Sequence, residues 1–323
     1  MTTSQLRIRL AMCGVLALLA AYVPVPGAAA THSRRSEARI AFTANLAGKS
    51  DTWQVFSMRP DGADVRQVTH LAHSTARSMF PTWAPDKRRL AFSSTVAGHV
   101  KIFVINSDGS GQRKLTRDSV DELAPAWSPD GRRIAFVRDN AIWTMNPQGT
   151  HRRRLIGASY DIFAPTYTPK SDHIVFLSSR GGLVSAVWIM RADGSHLRRL
   201  TPGWLKGLPM DVSPDGRRVL VNDNTSTNAA TSIWEVNIDG THLHRLTRAG
   251  CCYHDGNARY SPDGRTIAFV TDRWYAPRGA RENEIWKMNA DGHKQHVVTS
   301  SITRGGCPDA LVGNCNGPIS WQR

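Results

Sequence analysis

Several side chains that could carry out catalysis or bind a ligand lie between the regular stretches of this sequence. His73, His254 and Asp255 could bind a divalent metal ion, and Lys206 or Arg304 could then stabilise charge on an acidic polysaccharide. The sequence contains no G-x-S-x-G nucleophile elbow, no H-E-x-x-H motif and no phosphate-binding P-loop. Because the candidate residues are far apart in the chain, only the fold could bring them together.

A wider set of polar and aromatic side chains in the same segments is typical of a surface that contacts a protein or a glycan. The predicted binding residues are His73, Asp118, Asp121, Glu122, Tyr160, Asp161, Trp204, Lys206, His254, Asp255, Trp274 and Arg304. Trp274 and Tyr275 are neighbours in a long insertion between two strands. They could anchor a partner or pack on their own blade. Each residue alone is also explained as a solvated loop residue. We therefore predict a binding surface with no catalytic residues, no cofactor and no metal.

Four cysteines lie in the last quarter of the sequence: Cys251, Cys252, Cys307 and Cys315. An even number of cysteines in an oxidising compartment predicts two disulfide bonds. A bond between the neighbours Cys251 and Cys252 would close a strained eight-membered ring, so we expect each to pair with Cys307 or Cys315, in either combination. A metal cluster is the alternative, although no C-x-x-C pair supports it.

The first thirty residues have the pattern of a signal peptide. Arg7 and Arg9 precede an apolar run, and three alanines end it just before Thr31. A membrane anchor is the alternative, but the run is short and is interrupted by Pro24 and Pro26. We expect cleavage, a linker over residues 31–38, a secreted or periplasmic protein and no transmembrane anchor afterwards.

The chain is strongly basic, with 41 lysines and arginines against 26 acidic residues. Removal of Arg7 and Arg9 with the leader would leave a net charge of about +13, which permits an anionic partner. The basic residues recur in repeated phrases such as Q-R-K-L-T-R and H-L-R-R-L. The charge is therefore also explained as a solvated rim that binds no partner. Predicted export and the lack of RNA-reader motifs argue against nucleic acid.

A repeated phrase provides the elements that must position the candidate residues. P-A-W-S-P-D-G-R-R-I-A-F-V begins at residue 125, and related phrases begin at residues 81, 165, 210 and 258. Each is followed by a second phrase of the type I-W-x-M-N-x-D-G-x-x-x-R-L-T. The spacings between equivalent positions, from Trp83 through Trp127, Tyr167, Val212 and Tyr260, are 44, 40, 45 and 48 residues. Such a period is typical of a four-stranded propeller blade.

Each part of the repeat has a physical role. In S-P-D-G, proline presets the turn, aspartate bonds locally and Gly131 accepts a positive φ, so the phrase predicts a tight turn between the first and second strands. This turn explains Asp130, Asp215 and Asp263 without catalysis. The tryptophans of the third strand, Trp143, Trp188, Trp234 and Trp286, are predicted to pack between blades. The R-R-L-T phrase predicts an outer strand whose arginines face solvent.

The two ends of the repeat region complement each other. The stretch from Ala38 contains second, third and fourth strands without a preceding first strand, and G-P-I-S-W, ending at Trp321, is the missing phrase. We therefore predict an all-β fold, a six-bladed propeller over residues 39–323 with four-stranded blades, whose first blade is closed by the C-terminal strand. Glu122, Asp161 and Asp255 should then surround the mouth of the axial channel.

The combined motif W-S-P-D-G-x-x-I-A-F … I-W-x-M-N-x-D-G-x-x-x-R-L-T resembles the PD40, or WD40-like, repeats of the TolB family's β-propeller. The resemblance implies export and protein binding at the propeller face. TolB carries an α/β domain before its propeller, whereas in this chain only residues 31–38 separate the leader from the first blade, so we expect that domain to be lacking. The predicted function is an exported, monomeric, non-catalytic protein-binding scaffold for an envelope protein. The alternative is a binder of, or metal-assisted lyase or hydrolase on, an acidic polysaccharide.

Overall fold

The computed structural model describes residues 38–45, 52–71, 77–157, 161–180, 185–205, 207–223, 231–248, 254–272, 284–299 and 319–322. These residues form strands and turns and contain no helix. None of these residues therefore belongs to a helix long and apolar enough to cross a membrane.

In the described part of the chain, twenty-four strands form six four-stranded antiparallel sheets, the blades, which run from an inner strand at the axis to an outer strand at the circumference. In that order, blade 1 contains β24 (Ser320–Trp321), β1 (Ile40–Asn45), β2 (Trp53–Met58) and β3 (Arg66–Gln67); blade 2 contains β4 (Ser78–Trp83), β5 (Arg89–Ala97), β6 (His99–Asn106) and β7 (Arg113–Lys114). Blade 3 contains β8 (Glu122–Trp127), β9 (Ile134–Arg138), β10 (Ala141–Met145) and β11 (Arg153–Ile156); blade 4 contains β12 (Ile162–Tyr167), β13 (His173–Ser178), β14 (Ala186–Arg191) and β15 (Arg198–Arg199). Blade 5 contains β16 (Pro209–Val212), β17 (Arg218–Asn222), β18 (Ile233–Asn237) and β19 (His244–Arg245); blade 6 contains β20 (Asp255–Tyr260), β21 (Thr266–Thr271), β22 (Glu284–Asn289) and β23 (His296–Thr299).

The C-terminal strand closes the ring as predicted. Trp321 pairs with Ile40, and Ser320 pairs with Ala41, which makes β24 the inner strand of blade 1. β24 also contacts β4 and β20, so blade 1 joins blades 2 and 6. Ser320 tightens the joint to blade 2, because its hydroxyl accepts a hydrogen bond from the backbone N–H of Trp83 at 3.1 Å. Full closure protects the edges that an open sheet would expose.

The S-P-D-G phrase forms the predicted turn between the first two strands of a blade. In blade 3 the Ser128 hydroxyl donates to Asp130 at 2.6 Å and accepts from the N–H of Arg133 at 2.9 Å. Gly131 has a φ of +72°, the left-handed region that glycine tolerates best. Asp130 is thus a turn residue, as the sequence predicts. We call the end of the ring that carries these turns the turn face, and the opposite end the mouth face.

A second glycine makes the contact between neighbouring blades. Gly149, in the turn between β10 and β11, has a φ of +85°, and a Cβ atom placed on it would lie 2.5 Å from the carbonyl oxygen of Leu115 in blade 2. Every blade repeats this close approach, through the pairs Gly62–Val298, Gly109–Val68, Gly149–Leu115, Gly194–Leu155, Gly240–Leu200 and Gly292–Leu246. The glycine in the turn between the third and fourth strands of each blade therefore lets the blades pack closely.

The R-L-T phrase completes this joint. The Arg113 guanidinium donates to the carbonyl oxygens of Pro147 and Gln148 in blade 3, at 3.1 and 3.2 Å. Arg153 and Arg198 make equivalent bonds to the turns of blades 4 and 5. These arginines are exposed as predicted, but they also link each outer strand to the next blade.

The apolar cores lie between neighbouring blades, and the repeated tryptophans pack there as predicted. Trp143 contacts a core that contains Ile102 and Leu115 of blade 2. Trp234 contacts one that contains Val187 and Leu200 of blade 4. Trp188 and Trp286 occupy the corresponding joints of blades 4 and 6. The blades are therefore held together by buried apolar surface, which favours association of the sheets.

Candidate functional site

The six inner strands surround an axial channel with a volume of about 430 Å³. Its lining combines aromatic, proline and aliphatic residues with a few polar groups. The lining includes Phe80, Pro81, Trp83, Pro125, Trp127, Phe163, Pro165, Tyr167, Leu208, Pro209, Met210, Asp211, Asn222, Asn257, Arg259, Ser320 and Trp321. A concave, mostly apolar cavity with a few polar groups is the usual form of a ligand site.

Bulges in the inner strands shape the channel wall. The pairing with the second strand shifts within β4, β8, β12, β16 and β20. Phe80, Ala124, Ala164 and Asn257 lie in these bulges and have φ values between +52° and +57°. A positive φ is costly for a bulky residue such as phenylalanine, and such strain is concentrated at functional sites. Phe80 is therefore held in an unusual backbone conformation at the channel wall.

Two phenylalanines from different blades meet in the channel. The rings of Phe80 (blade 2) and Phe163 (blade 4) lie edge to face, with centroids 5.5 Å apart and planes at 74°. The blade between them places the small residue Ala124 at the position of Phe80, which leaves room for the contact. Both rings are partly exposed. This aromatic pair narrows the channel near the mouth face.

The polar groups of the channel wall also connect the inner strands. Asp211 of blade 5 accepts a hydrogen bond from the backbone N–H of Tyr260 of blade 6 at 2.9 Å. Within β20, the Arg259 side chain is held against its own strand, because it donates to the carbonyl oxygen of Ala258 at 3.0 Å. These bonds fix the wall, so the channel is preformed rather than assembled around a ligand.

Glu122 begins β8 at the mouth face, where the sequence predicts it, but its side chain is fully buried. One carboxylate oxygen accepts a hydrogen bond from Arg138 at 2.8 Å, and the other lies 3.8 Å from the Lys101 ammonium. Arg152 lies 3.4 Å from the first oxygen. The Glu122 charge is therefore neutralised between blades 2 and 3.

Asp118 joins the same cluster but is exposed. It accepts hydrogen bonds from Lys101, at 3.2 Å, and from Arg138 and Arg152. Burial raises the pKa of Asp118, but the hydrogen bonds from Arg138 and Lys101 outweigh it and lower the pKa to about 2. Asp118 remains ionised at neutral pH, and its charge is already paired within the protein.

The other acidic candidates differ in exposure. Asp121 is exposed and accepts a hydrogen bond from the backbone N–H of Val100 at 2.9 Å. Asp161 is exposed beside β12, whereas Asp255 is fully buried at the start of β20. The structure thus places these three residues at the mouth face, where Asp121 and Asp161 are exposed to solvent and Asp255 is buried.

His254 is oriented by a carboxylate. Its Nδ1 lies 2.7 Å from Asp272, which also accepts a hydrogen bond from the His254 backbone N–H. A histidine held in this way presents its other ring nitrogen outward, as in many metal and proton-transfer sites. The described residues hold no group of three or more potential metal ligands around it.

Trp204 is the large exposed aromatic residue among the described candidates, with 58% of its surface accessible. Its ring lies edge to face against Trp234, with centroids 5.7 Å apart. The remaining candidates, His73, Tyr160, Lys206, Trp274 and Arg304, lie outside the described residues. The four cysteines do so too, and their pairing stays a prediction.

Sequence reasoning missed Phe80 and Phe163. Phe80 precedes the P-T-W phrase by one residue, and Phe163 precedes A-P-T-Y by one, so both lie beside motifs that were explained as blade structure. The sequence signal that could have revealed them is the variation between blades at these two repeat positions. Blade 3 has Ala124 at the position of Phe80 and Leu123 at the position of Phe163.

The fold and the channel define a closed six-bladed β-propeller that surrounds a preformed binding cavity. Residues 32–207 match the PD40 family model, described as the TolB beta propeller domain, so the chain belongs to this family. Its repeats account for both the turn-face contacts and the ring closure.

Three relatives show how far the similarity extends. A stretch of 80 residues, 24% of this chain and 17% of the relative, is 39% identical to the Tol-Pal system protein TolB of Syntrophus aciditrophicus (strain SB). The crystal structure of TolB from Acinetobacter baumannii superposes with a TM-score of 0.70 at 19% identity, over 88% of this chain and 66% of that one. An oligogalacturonate lyase in complex with manganese shares the fold at a TM-score of 0.52 and 12% identity, over 81% of this chain and 73% of that one. The chain thus spans less than two thirds of these two TolB proteins.

Proposed function

We propose that the chain is an exported, non-catalytic module that holds a partner protein at the mouth of its axial channel, at the cell envelope. The observation that carries this proposal is the Phe80–Phe163 pair, two partly exposed aromatic rings at the entrance of a preformed cavity. Aromatic residues in concave, desolvated positions dominate the energetics of many protein interfaces. A rigid ring loses little entropy when it binds.

The relatives supply the setting of the proposal. A TolB protein named for the Tol-Pal system makes an envelope protein the natural partner class, and the predicted signal peptide would deliver the chain to the periplasm or beyond. The partner would place a short apolar segment in the channel against the two rings, since about 430 Å³ accommodates only a few side chains.

Binding is better supported than catalysis by the described residues. Asp118 and Glu122 are neutralised by three basic side chains, and His254 is hydrogen-bonded to Asp272. The metal-assisted alternative also depends on His73, Lys206 and Arg304, which lie outside the described residues.

A crosslinking pull-down from the cell envelope tests the proposal. Alanine at Glu122 or Asp255 would be a poor probe, because both side chains are buried and their loss would disturb the blades. The better variant is Phe80→Ala with Phe163→Ala, compared with a control that carries Arg132→Gln and Arg265→Gln on the turn face. We expect parent and control to capture the same protein, and the double alanine variant to capture at least about tenfold less of it.

Thermal unfolding of all three proteins checks that the variants are folded. A partner captured equally by the double alanine variant would contradict the role of the aromatic pair. Failure of the folded parent to capture any protein would contradict the proposed function itself.

A further inference from the structure

The outer strands carry a second regular feature. The second residue of each outer strand lies directly opposite an aromatic residue of the third strand, and in blades 2 to 5 this second residue is basic. The pairs are Phe103–Lys114, Trp143–Arg154, Trp188–Arg199 and Trp234–Arg245. Blades 1 and 6 have Gln67 and Val297 at this position. We call Lys114, Arg154, Arg199 and Arg245 the basic row.

The basic row is accessible and is not balanced by acidic neighbours on its strands. Arg154, Arg199 and Arg245 are exposed, and Lys114 is partly exposed. The six described outer strands contain no aspartate or glutamate. The row therefore forms a basic arc along four consecutive blades, which attracts an anionic partner.

An exposed aromatic ring lies within this arc. The Arg245 guanidinium lies 5.7 Å from the ring centroid of Trp234, against which Trp204 packs. Arg199 lies near the loop that carries Trp204, since its Nη1 atom is 3.7 Å from a Cβ placed on Gly203, the residue before Trp204. Trp234 is held in place because its Nε1–H donates to Asp223 at 2.9 Å. The exposed indole of Trp204 thus rests on a fixed support, with Arg245 over the supporting Trp234 ring and Arg199 close to Gly203.

We propose that the basic row and Trp204 bind a linear acidic polysaccharide. A flexible polymer that carries many carboxylates can reach basic side chains on successive blades, and guanidinium groups pair well with carboxylates. The face of Trp204 can stack on the apolar C–H face of a sugar ring. Single-stranded nucleic acid fits less well, since it needs aromatic rings for successive bases and the described arc exposes one.

This surface lies on the circumference of the ring, so the proposal does not depend on partner binding at the channel. The aromatic pair can be removed without changing the basic row, and the row without changing the pair. Failure of one proposal therefore leaves the other intact.

The test is affinity electrophoresis of the full chain in gels that contain polygalacturonate, with dextran as the neutral comparison. We expect retardation by polygalacturonate only, weakening as salt screens the charges. A variant with Arg154→Gln, Arg199→Gln and Arg245→Gln should lose about tenfold in apparent affinity, and Trp204→Ala about threefold. A control with Arg132→Gln, Arg217→Gln and Arg265→Gln has the same net charge and should stay within about twofold of the parent.

Three results would overturn the proposal. An equal loss in the control variant would mean that net charge alone causes the retardation. Equal or tighter binding of polyglutamate or of an oligo-dT strand would assign the row to another class of polyanion. Absence of retardation at low salt, with a folded protein, would remove the site altogether.

Discussion

The two faces of the propeller differ in how far the blades repeat one another. On the turn face, the six glycine–carbonyl contacts are equivalent from blade to blade. On the mouth face, the first residues of β4, β8, β12 and β20 are Ser78, Glu122, Ile162 and Asp255, all buried but chemically different. The residues that assemble the ring are therefore repeated in every blade. The residues that differ between blades are concentrated at the channel mouth, where we propose that binding occurs.

The largest effect should come from removal of the closing strand. Deletion of residues 318–323 removes β24 and with it the buried side chains of Ile319 and Trp321. Loss of a buried tryptophan alone costs about 3–5 kcal/mol, so we expect the Tm to fall by at least about 10 °C. Deletion of Arg323 alone is the matched control. An unchanged Tm after the larger deletion would refute the role of β24 in closure.

A smaller effect is expected from the charge cluster at the mouth. Lys101→Met removes the cation nearest to the second carboxylate oxygen of Glu122, which has no hydrogen bond. Leaving a buried charge poorly compensated should lower the free energy of unfolding by about 3 kcal/mol in urea titration.

A double-mutant cycle sharpens this result. Lys101→Met combined with Glu122→Gln should lose less stability than the sum of the two single variants, because the carboxylate that needs Lys101 is gone. Strict additivity would show that the two side chains are not energetically coupled.

The smallest expected loss of stability comes from replacing single glycines, one on each face of the ring. Gly149 and Gly98 have similar φ values, +85° and +83°, but only Gly149 faces a neighbouring carbonyl; a Cβ on Gly98 would meet nothing within 4 Å. Gly149→Ala should lower stability by about 2–3 kcal/mol, and Gly98→Ala by about 1 kcal/mol, the cost of the backbone conformation alone. Chemical unfolding of both variants measures the difference, and equal losses would show that the interblade contact contributes nothing.

Sequence reasoning predicted the features that depend on local rules. The S-P-D-G turn at Ser128–Gly131, the packing of Trp143 and the role of Trp321 all follow from short repeated phrases. It did not predict the Phe80–Phe163 contact, because the curvature of the ring brings together side chains from blades that are not adjacent. Nor did it predict the burial of Glu122, because its partner Lys101 lies on β6, which no motif links to β8.

The closing pair β24–β1 has a consequence for the order of folding. It joins Ile40 to Trp321, which are almost as far apart in sequence as two residues of the propeller can be. Such a non-local contact costs much loop entropy and forms slowly, whereas the remaining strands of each blade are neighbours in sequence. Blade 1 should therefore be completed last, and until then its edge strand β1 is available to another chain. Refolding at high concentration should consequently favour dimers in which one molecule's C-terminal strand completes the ring of another.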